Sequence, residues 1–325
     1  MISVVRGAFG QVASIGTLYD ATREQFLRTS IRDKLPPGAI STLRQPNTDI
    51  FVIPSGTYSQ KFEALGVKEE GAASVLAGLV EPRGSGAYLR HGLGTTTALH
   101  GAVCHKVSTV QERLGFAGLR LMDHVDLTSP IIQRGTHVVT SIDWGMQTIV
   151  AMKHCLPDNV DRAHVEAAFQ RDLDVLSTAV ASVGGGYTNG MDEIELELEL
   201  TLYTDALQDE GLIIQDLAEV VNFIRIIPDH ISHGRGGKGW QLFYTLLPLS
   251  MLQLFYPGVG AIGATSIPAN PESLSKVVHL FNDFAVCEDQ LSGYAASLEG
   301  RERHVADGHI ASVATSIHLL QQSKK

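Results

Sequence analysis

The sequence predicts an α+β fold in which helices pack against an antiparallel β-sheet. Residues 136 to 150 are rich in β-branched and aromatic residues and contain no proline, which is typical of a long strand in the middle of a sheet. Residues 194 to 203 alternate Ile or Leu with Glu and then Thr, which predicts an antiparallel strand with one buried face. Residues 158 to 183 carry apolar side chains at helical spacing and therefore predict an amphipathic helix.

Two more strands are predicted before the central one. Residues 49 to 55 contain a short apolar run and are expected to form a buried strand, and residues 95 to 113 are also strand-like. The intervening residues 56 to 94 do not follow a strand pattern, because an apolar run there is followed by a glycine-rich stretch. Near the amino terminus, Asp20 could cap a helix-like run that follows it.

Toward the carboxyl terminus, the pattern predicts a second amphipathic helix over residues 209 to 227, ended by Pro228, and a strand over residues 240 to 247. Residues 241 to 270 carry no charge, and this run is long enough to cross a membrane as a helix. Its prolines and glycines would break such a helix. A buried strand followed by a loop is therefore the favoured interpretation, and a membrane span is the alternative.

The predicted domain boundary divides the chain into residues 1–268 and residues 269–325. Asn270 followed by Pro271 is a good helix start, because a capping residue precedes a proline in the first turn. Residues 305 to 320 predict a second helix. The carboxy-terminal part is therefore expected to be a helical hairpin packed on the main domain.

Composition limits the classes of partner. The formal net charge of −10 argues against a nucleic-acid surface and against polybasic attachment to anionic lipid. Cys104, Cys155 and Cys287 include no close pair, which is typical of a reducing compartment or of buried thiols. The first twenty residues contain no continuous apolar segment, so we expect no signal peptide and either a cytoplasmic location or release by a non-classical route.

No catalytic or metal-binding motif is recognisable in the sequence. There is no Gly-x-Ser-x-Gly elbow, no cysteine–histidine constellation and no dinucleotide fingerprint. His230 with His233 and His100 with His105 could pair as metal ligands, but neither pair belongs to a known ligand motif. We therefore expect a protein that is not an enzyme, with no cofactor and no metal, and we interpret His137 as a structural histidine.

Three ordered motifs carry a family resemblance. The first is Leu18, Tyr19 and Asp20, and the second is the glycine-rich stretch from residue 77 to residue 89. The third is the signature in the central strand, formed by Gly135, Thr136, His137, Asp143, Trp144 and Gly145. Together they resemble the stonustoxin-like toxins of stonefish, within the membrane attack complex/perforin and cholesterol-dependent cytolysin (MACPF/CDC) superfamily.

The resemblance implies a bent antiparallel sheet of four central strands, flanked by two helical clusters at residues 56 to 94 and 158 to 193. In this superfamily the subunits oligomerise, and each cluster refolds into a β-hairpin of a membrane barrel. The implied function is a pore-forming or membrane-perturbing protein whose partners are a lipid membrane and either copies of itself or a related companion subunit. The alternative is a non-lytic interaction or scaffold protein with the same fold.

Two groups of residues are candidates for the movement. Candidate membrane-inserting side chains are those on the apolar faces of the two clusters: Val75, Leu76, Leu79, Val80, Val165, Phe169, Leu173, Leu176 and Val180. Candidate hinges are glycines that follow the clusters or connect predicted elements: Gly184, Gly185, Gly186, Gly236 and Gly237. Neither cluster alternates apolar and polar residues cleanly, as barrel strands do, which keeps the non-lytic alternative open.

Overall fold

The structure is a computed structural model. It describes residues 3–31, 35–54, 57–95, 97–115, 132–156, 160–182, 196–207, 211–252, 270–296 and 300–322. Across these residues the chain forms a mixed α+β fold, which confirms the predicted fold class.

The described strands all join one antiparallel sheet of nine strands. They are β1 (Val4–Gly7), β2 (Thr17–Asp20), β3 (Gln25–Ser30), β4 (Ile40–Pro54), β5 (Ala98–Leu114), β6 (His137–Cys155), β7 (Glu199–Thr204), β8 (Leu212–Ile214) and β9 (Trp240–Pro248). The sheet therefore has five strands besides the four central ones that were predicted, and one of these five, β9, was itself predicted as a strand. The predicted four are its centre, in the order β4-β5-β6-β7.

The described α-helices lie between these strands or after them. They are α1 (Tyr58–Ala64), α2 (Glu69–Leu76), α3 (Arg162–Ala181), α4 (Leu217–Arg225), α5 (Ile227–His233), α6 (Leu249–Leu252), α7 (Pro271–Ala296) and α8 (Gly300–Gln322). A 3-10 turn, Gly84–Arg90, follows α2.

Strand β6 is the centre of the sheet because it has neighbours on both sides along most of its length. On one side it pairs with β5 and, at its start, with β2. On the other side it pairs first with β9 and then with β7. This position agrees with the prediction of a central strand, which the structure extends to Cys155.

Helices cover opposite faces of the four central strands. Because side chains alternate along a strand, Val103 and Val150 point to one face and Ala102 and Ile149 to the other. The first face packs against α3, α4 and α5 in one apolar core. The second packs against α1, α2 and the 3-10 turn in another core, which also receives Val278 and Phe281 of α7.

Helix α7 forms a layer outside the first helical cluster. It contacts α1 and α2 on one side and α8 on another, so the predicted carboxy-terminal helical hairpin is observed. The Asn282 side chain accepts a hydrogen bond of 2.8 Å from the Tyr58 backbone nitrogen at the start of α1. The predicted domain boundary after residue 268 lies outside the described residues.

Several local predictions were wrong. The run after Asp20 forms the strand β3 rather than a helix. Part of the predicted 209–227 helix is the strand β8, and only Leu217–Arg225 is helical. Pro228 lies in the first turn of α5, where a missing N–H costs nothing, so it begins a helix instead of only ending one.

The uncharged run after residue 240 begins as the buried strand β9, as the favoured interpretation expected, and residues 253–269 lie outside the described part. Nowhere in the described residues is there a helix with both the length and the apolar character that a membrane crossing requires.

The long strands share one line of irregular pairing, which is called the bend below. Register shifts occur between Arg44 and Asn47 in β4, between Ser108 and Gln111 in β5, and beside Asp143–Gly145 in β6. Paired residues connect these positions across the sheet. Because bulges bend strands and increase their twist, we expect the sheet to curve along this line.

Candidate functional site

The amino-terminal motif and the signature motif lie side by side. Leu18 pairs with Val138, and Tyr19 pairs with His137, where β2 joins β6. The Thr136 backbone nitrogen and hydroxyl both donate to the Tyr19 carbonyl oxygen, at 2.8 and 3.1 Å. Two motifs more than a hundred residues apart in the sequence therefore form one structural unit.

His137 and Asp20 have structural partners in this unit. The His137 ring is buried, and its Nδ1 lies 2.8 Å from the Thr136 hydroxyl. Burial lowers the pKa of His137 to about 4, so its ring is neutral near pH 7. Asp20 accepts hydrogen bonds from the backbone nitrogen and hydroxyl of Thr22 and so closes a turn. These contacts agree with a structural interpretation of both residues.

The second half of the signature lies at the bend of the sheet. A Cβ atom on Gly145 would overlap the backbone oxygen of Val107 on β5, so only glycine allows the two strands to approach this closely. The Gln111 side chain donates a hydrogen bond to the neighbouring Asp143. The Trp144 indole nitrogen donates to Glu112 at 2.9 Å.

A charged cluster connects the glycine-rich loop after α5 to this bend. Lys238 donates to Glu112 at 2.7 Å, and its ammonium lies 4.9 Å from the Trp144 ring centre. Of the candidate hinge glycines, Gly236 and Gly237 have φ angles of +73° and +81° with open space around them. The turn therefore requires glycine for its backbone and not for its packing. The other candidate hinges, Gly184, Gly185 and Gly186, lie outside the described residues.

The candidate inserting residues of the first cluster are buried or half-buried in the fold. Leu76 and Val80 are each 8% exposed, and Val75 and Leu79 are half-buried. Val75 and Leu76 pack in the core beneath α7. This apolar face is therefore hidden in the folded form.

A buried lysine lies beneath the same cluster. The Lys61 side chain of α1 is 0% exposed and donates hydrogen bonds to the carbonyl oxygens of His91 and Gly92, at 2.7 and 3.1 Å. Its ammonium lies 4.4 Å from the centre of the Tyr88 ring. Burial lowers the pKa of Lys61 from 10.5 to about 7, because the charged form loses its hydration.

A chain of polar rings runs from this lysine site to the sheet. The His91 Nε2 lies 3.2 Å from the Nδ1 of His100 on β5, and the His91 Nδ1 lies 3.0 Å from the hydroxyl of Tyr203 on β7. Burial, assisted by the nearby Lys61 charge, lowers the pKa of both histidines to about 4. The cluster is therefore attached to the sheet by groups that resist protonation.

Two carboxylates add further attachments. Glu70 at the start of α2 pairs with Arg6 of β1 at 2.9 Å, and Arg6 also pairs with the buried Glu24. Asp205 accepts from the backbone nitrogen and hydroxyl of Ser85, at 3.1 and 2.6 Å, and from a backbone nitrogen of β6 at 2.8 Å. Releasing the first cluster would break both sets of contacts.

The second cluster presents its predicted face to the sheet. Phe169, Leu173, Leu176 and Val180 of α3 are each at most 5% exposed, and Val165 packs at the edge of the same core. A Cβ atom on Gly101 of β5 would lie 2.7 and 3.0 Å from the terminal carbons of Leu173. The absence of a side chain at Gly101 therefore allows α3 to pack directly on the strand.

The outer edges of the four central strands differ. In the described residues β4 pairs only with β5, so its outer edge is open. The outer edge of β7 pairs with β8 from Leu200 to Leu202. On β8, Leu212 and Ile213 are 47% and 73% exposed.

His100 and His105, one of the two pairs that the sequence offered as possible metal ligands, do not meet in the fold. His100 and His105 lie on opposite faces of β5, because five positions separate them along a strand with a period of two. His100 instead meets His91. Within the described residues, no group of three or more His, Cys, Asp or Glu side chains is arranged to hold a metal ion.

Lys61 was missed because nothing in its sequence context distinguishes it from a surface lysine. Glu112 and the Arg6–Glu24 pair were missed for a similar reason, since each interacts with residues distant in the sequence. One sequence feature pointed to the Asp205 contacts. The glycine motif at 84–86 places small residues where Asp205 approaches.

Comparison with known proteins gives the same family as the three sequence motifs. A family model described as "SNTX, MACPF/CDC-like domain" matches residues 3–261. The stonustoxin structure is similar over 100% of this chain, with 18% sequence identity and a TM-score of 0.59. This chain spans only 43% of the length of that stonustoxin chain. No curated protein matches the sequence.

Two more distant structures were also found. GNIP1Aa from Chromobacterium piscinae shares 11% identity over 87% of this chain and 57% of its own, with a TM-score of 0.34. Wild-type pneumolysin shares 13% identity over 63% of this chain and 40% of its own, with a TM-score of 0.33. These two scores are too low to support the fold, which is supported by the stonustoxin structure.

Proposed function

Because this chain belongs to the SNTX, MACPF/CDC-like domain family, we propose that it is a pore-forming or membrane-perturbing protein that oligomerises and refolds its two helical clusters into β-hairpins. Proteins of this toxin family form pores in membranes and are not enzymes, in agreement with the expectation of a non-enzymatic protein. That this chain itself inserts into a membrane is the proposal.

The connectivity of the two clusters carries this proposal. The first cluster joins β4 to β5, and the second joins β6 to β7, and each pair consists of antiparallel neighbours in one sheet. The ends of the first cluster are adjacent, since Pro54 pairs with Gly101. A hairpin formed from either cluster would therefore extend strands that are already paired.

The length of each cluster is sufficient for a membrane hairpin. A tilted membrane strand needs about 9 to 11 residues, so a hairpin with its turn needs roughly 20 to 25. The segments from Pro54 to Ala98 and from Cys155 to Glu199 both exceed this length. Closing many such hairpins into a barrel would satisfy the backbone polar groups in lipid.

Assembly would use the two edges of the central sheet. The open edge of β4 offers unpaired backbone groups to another chain, whereas β8 must leave β7 before that edge can pair. The neighbour is either a second copy of this chain or a related companion subunit. The negative net charge means that insertion depends on apolar contact with the membrane rather than on basic residues.

The second candidate function is a non-lytic interaction or scaffold protein. The observation that favours it is the apolar pattern of α2, where residues 71 to 74 are all buried although none of them is a large apolar residue. Such small side chains suit close helix packing better than a lipid-facing strand. In this alternative the clusters stay permanently on the sheet.

A reversible lock of α3 on the sheet tests the proposal. We would replace the native cysteines and introduce Gly101→Cys with Leu173→Cys, because the contact at Gly101 brings these positions within reach of a disulfide. Dye release from liposomes is then measured under oxidising and reducing conditions. We expect the oxidised protein to release little dye and the reduced protein to recover the release of the cysteine-free protein.

The two single-cysteine variants are the matched controls, since they carry the same packing changes but cannot form the bond. Ring-shaped oligomers in electron micrographs should accompany release. Equal dye release by the locked and reduced forms would contradict refolding of α3. Absence of release and of rings in the cysteine-free protein, with and without companion subunits, would favour the scaffold function.

A further inference from the structure

The core that lies beneath α3 contains an open cleft of about 1100 Å³ at the bend. One wall is the β4–β5 face between Thr42 and Ile50 on β4, and the other is formed by the end of α3, helices α4 and α5 and the glycine loop. A volume of this size is at the upper end of the range for small-molecule sites. It lies apart from the lysine site and from the first helical cluster.

Apolar side chains from both walls line the cleft. They are Ile50, Val107, Val110, Val180, Ile224, Ile227 and Ile231. Along β5 the lining residues run from His105 to Val110, which corresponds to roughly 16 Å at about 3.3 Å per residue. An elongated apolar molecule therefore fits this cleft better than a compact polar one.

The charged side chains that line the cleft in the described part of the chain all have one sign. Among the lining residues that the structure describes, Arg44, Arg225 and Lys238 are cationic and none is Asp or Glu. This is unexpected in a chain that carries 35 acidic and 25 basic residues. Lys238 already pairs with Glu112, so Arg44 and Arg225, whose side chains are exposed, are the cations available to an anion.

A buried histidine lies at the opposite end of the cleft from Arg44, since His105 pairs with Ile50 whereas Val110 pairs with Arg44. His105 is 8% exposed and lines the cleft, and its Nδ1 has no hydrogen-bond partner among the described residues. Burial lowers the pKa of His105, because the charged ring would lose its hydration. The Nδ1 atom is itself buried and lies roughly 16 Å along the strand from the Arg44 end, so the anionic head of a ligand is assigned to the cationic residues and not to His105.

We propose that this cleft binds a long-chain fatty carboxylate, whose chain lies on the apolar walls and whose head is held by the cationic residues. Charge complementarity selects the anion, and the length of the apolar lining selects the chain. The proposal does not depend on pore formation.

Displacement of a fluorescent fatty acid by oleate, without vesicles, tests this site in the full chain. We expect oleate to bind at least tenfold more tightly than oleyl alcohol, which has the same chain without the charge. Arg44→Glu should weaken oleate binding about tenfold or more, because the residue lies on an exposed edge strand and the change reverses its charge.

Arg83→Glu is the matched control, because Arg83 is an exposed arginine outside the cleft, and we expect it to leave oleate binding unchanged. Equal affinity for oleate and oleyl alcohol would overturn the assignment of an anion. Absence of oleate binding, or equal weakening by Arg44→Glu and Arg83→Glu, would overturn the site. None of these readouts measures dye release, so failure here is distinguishable from failure of the proposed function.

Discussion

Replacing Lys61 with methionine should change how the stability of this protein depends on pH. The side chain is 0% exposed, and burial lowers its pKa from 10.5 to about 7. Between these two values the unfolded chain binds one proton more than the folded chain. The free energy of unfolding therefore rises with pH across this window, by about 1.4 kcal/mol per pH unit and about 5 kcal/mol in all.

Urea denaturation of the wild type and of Lys61→Met at pH 7, 8 and 9 measures this contribution. Methionine preserves the apolar stem and cannot titrate, so the wild type should gain about 1.4 kcal/mol per pH unit relative to the variant. Other groups that titrate in this range cancel in the comparison. The gain should be smaller between pH 7 and pH 8 than between pH 8 and pH 9, because the folded lysine is still half protonated at pH 7.

Lys68→Met is the control, since Lys68 is exposed just before α2, and its difference from the wild type should not vary with pH. A constant difference between the wild type and Lys61→Met from pH 7 to pH 9 would refute the reasoning. It would mean that the buried amine keeps its ordinary pKa in the folded protein.

Three other predictions concern stability and are measurable by denaturation. Gly145→Ala should lower the free energy of unfolding by about 3 to 5 kcal/mol, because the new Cβ overlaps a backbone oxygen. Gly236→Ala should lower it by only about 1 kcal/mol, since this position has open space and only its positive φ disfavours alanine. Equal losses for the two variants would contradict the packing argument. Asp205→Ala should cost about 3 kcal/mol, because three donors lose their acceptor, and a cost below 1 kcal/mol would count against this network. Acidification from pH 6.5 to pH 4 should lower the melting temperature, because the unfolded chain protonates at His91 and His100 before the folded chain does. Replacing both histidines by glutamine should reduce this fall in melting temperature.

The elements that the sequence predicted well are those whose pattern is local. Strands β5 and β6 and helix α3 each repeat an apolar spacing over many residues, so the pattern is readable without their partners. The signature glycine at position 145 was also identified from sequence, although its reason, contact with the β5 backbone, required the fold.

The short strands were not predictable in the same way. Strand β2 has four residues and is stabilised by pairing with β3 and with β6, which is far away in the sequence. Strand β8 has three residues and pairs with β7, and its Leu and Ile residues read equally well as the start of the following helix. A local pattern cannot report a strand whose stability comes from a distant partner.

The apolar faces of the two clusters were predictable from the sequence, but the contacts that attach the first cluster were not. The apolar faces of α2 and α3 follow from spacing, and the fold buries most of them. The contacts that hold the first cluster, from Lys61 to the histidines and from Asp205 to the 3-10 turn, join residues between 30 and 120 positions apart. Such contacts depend on the completed sheet.

The position of α7 makes the two helical clusters differ in how early each of them can leave the sheet. The outer side of α3 faces solvent, whereas α1 and α2 lie between the sheet and α7. If both clusters unfold, α3 can leave early, but α1 and α2 must wait until the carboxy-terminal helix has moved aside. A molecule that binds α7 would then lengthen the delay between the subunit in which only α3 has refolded and the subunit in which both clusters have refolded.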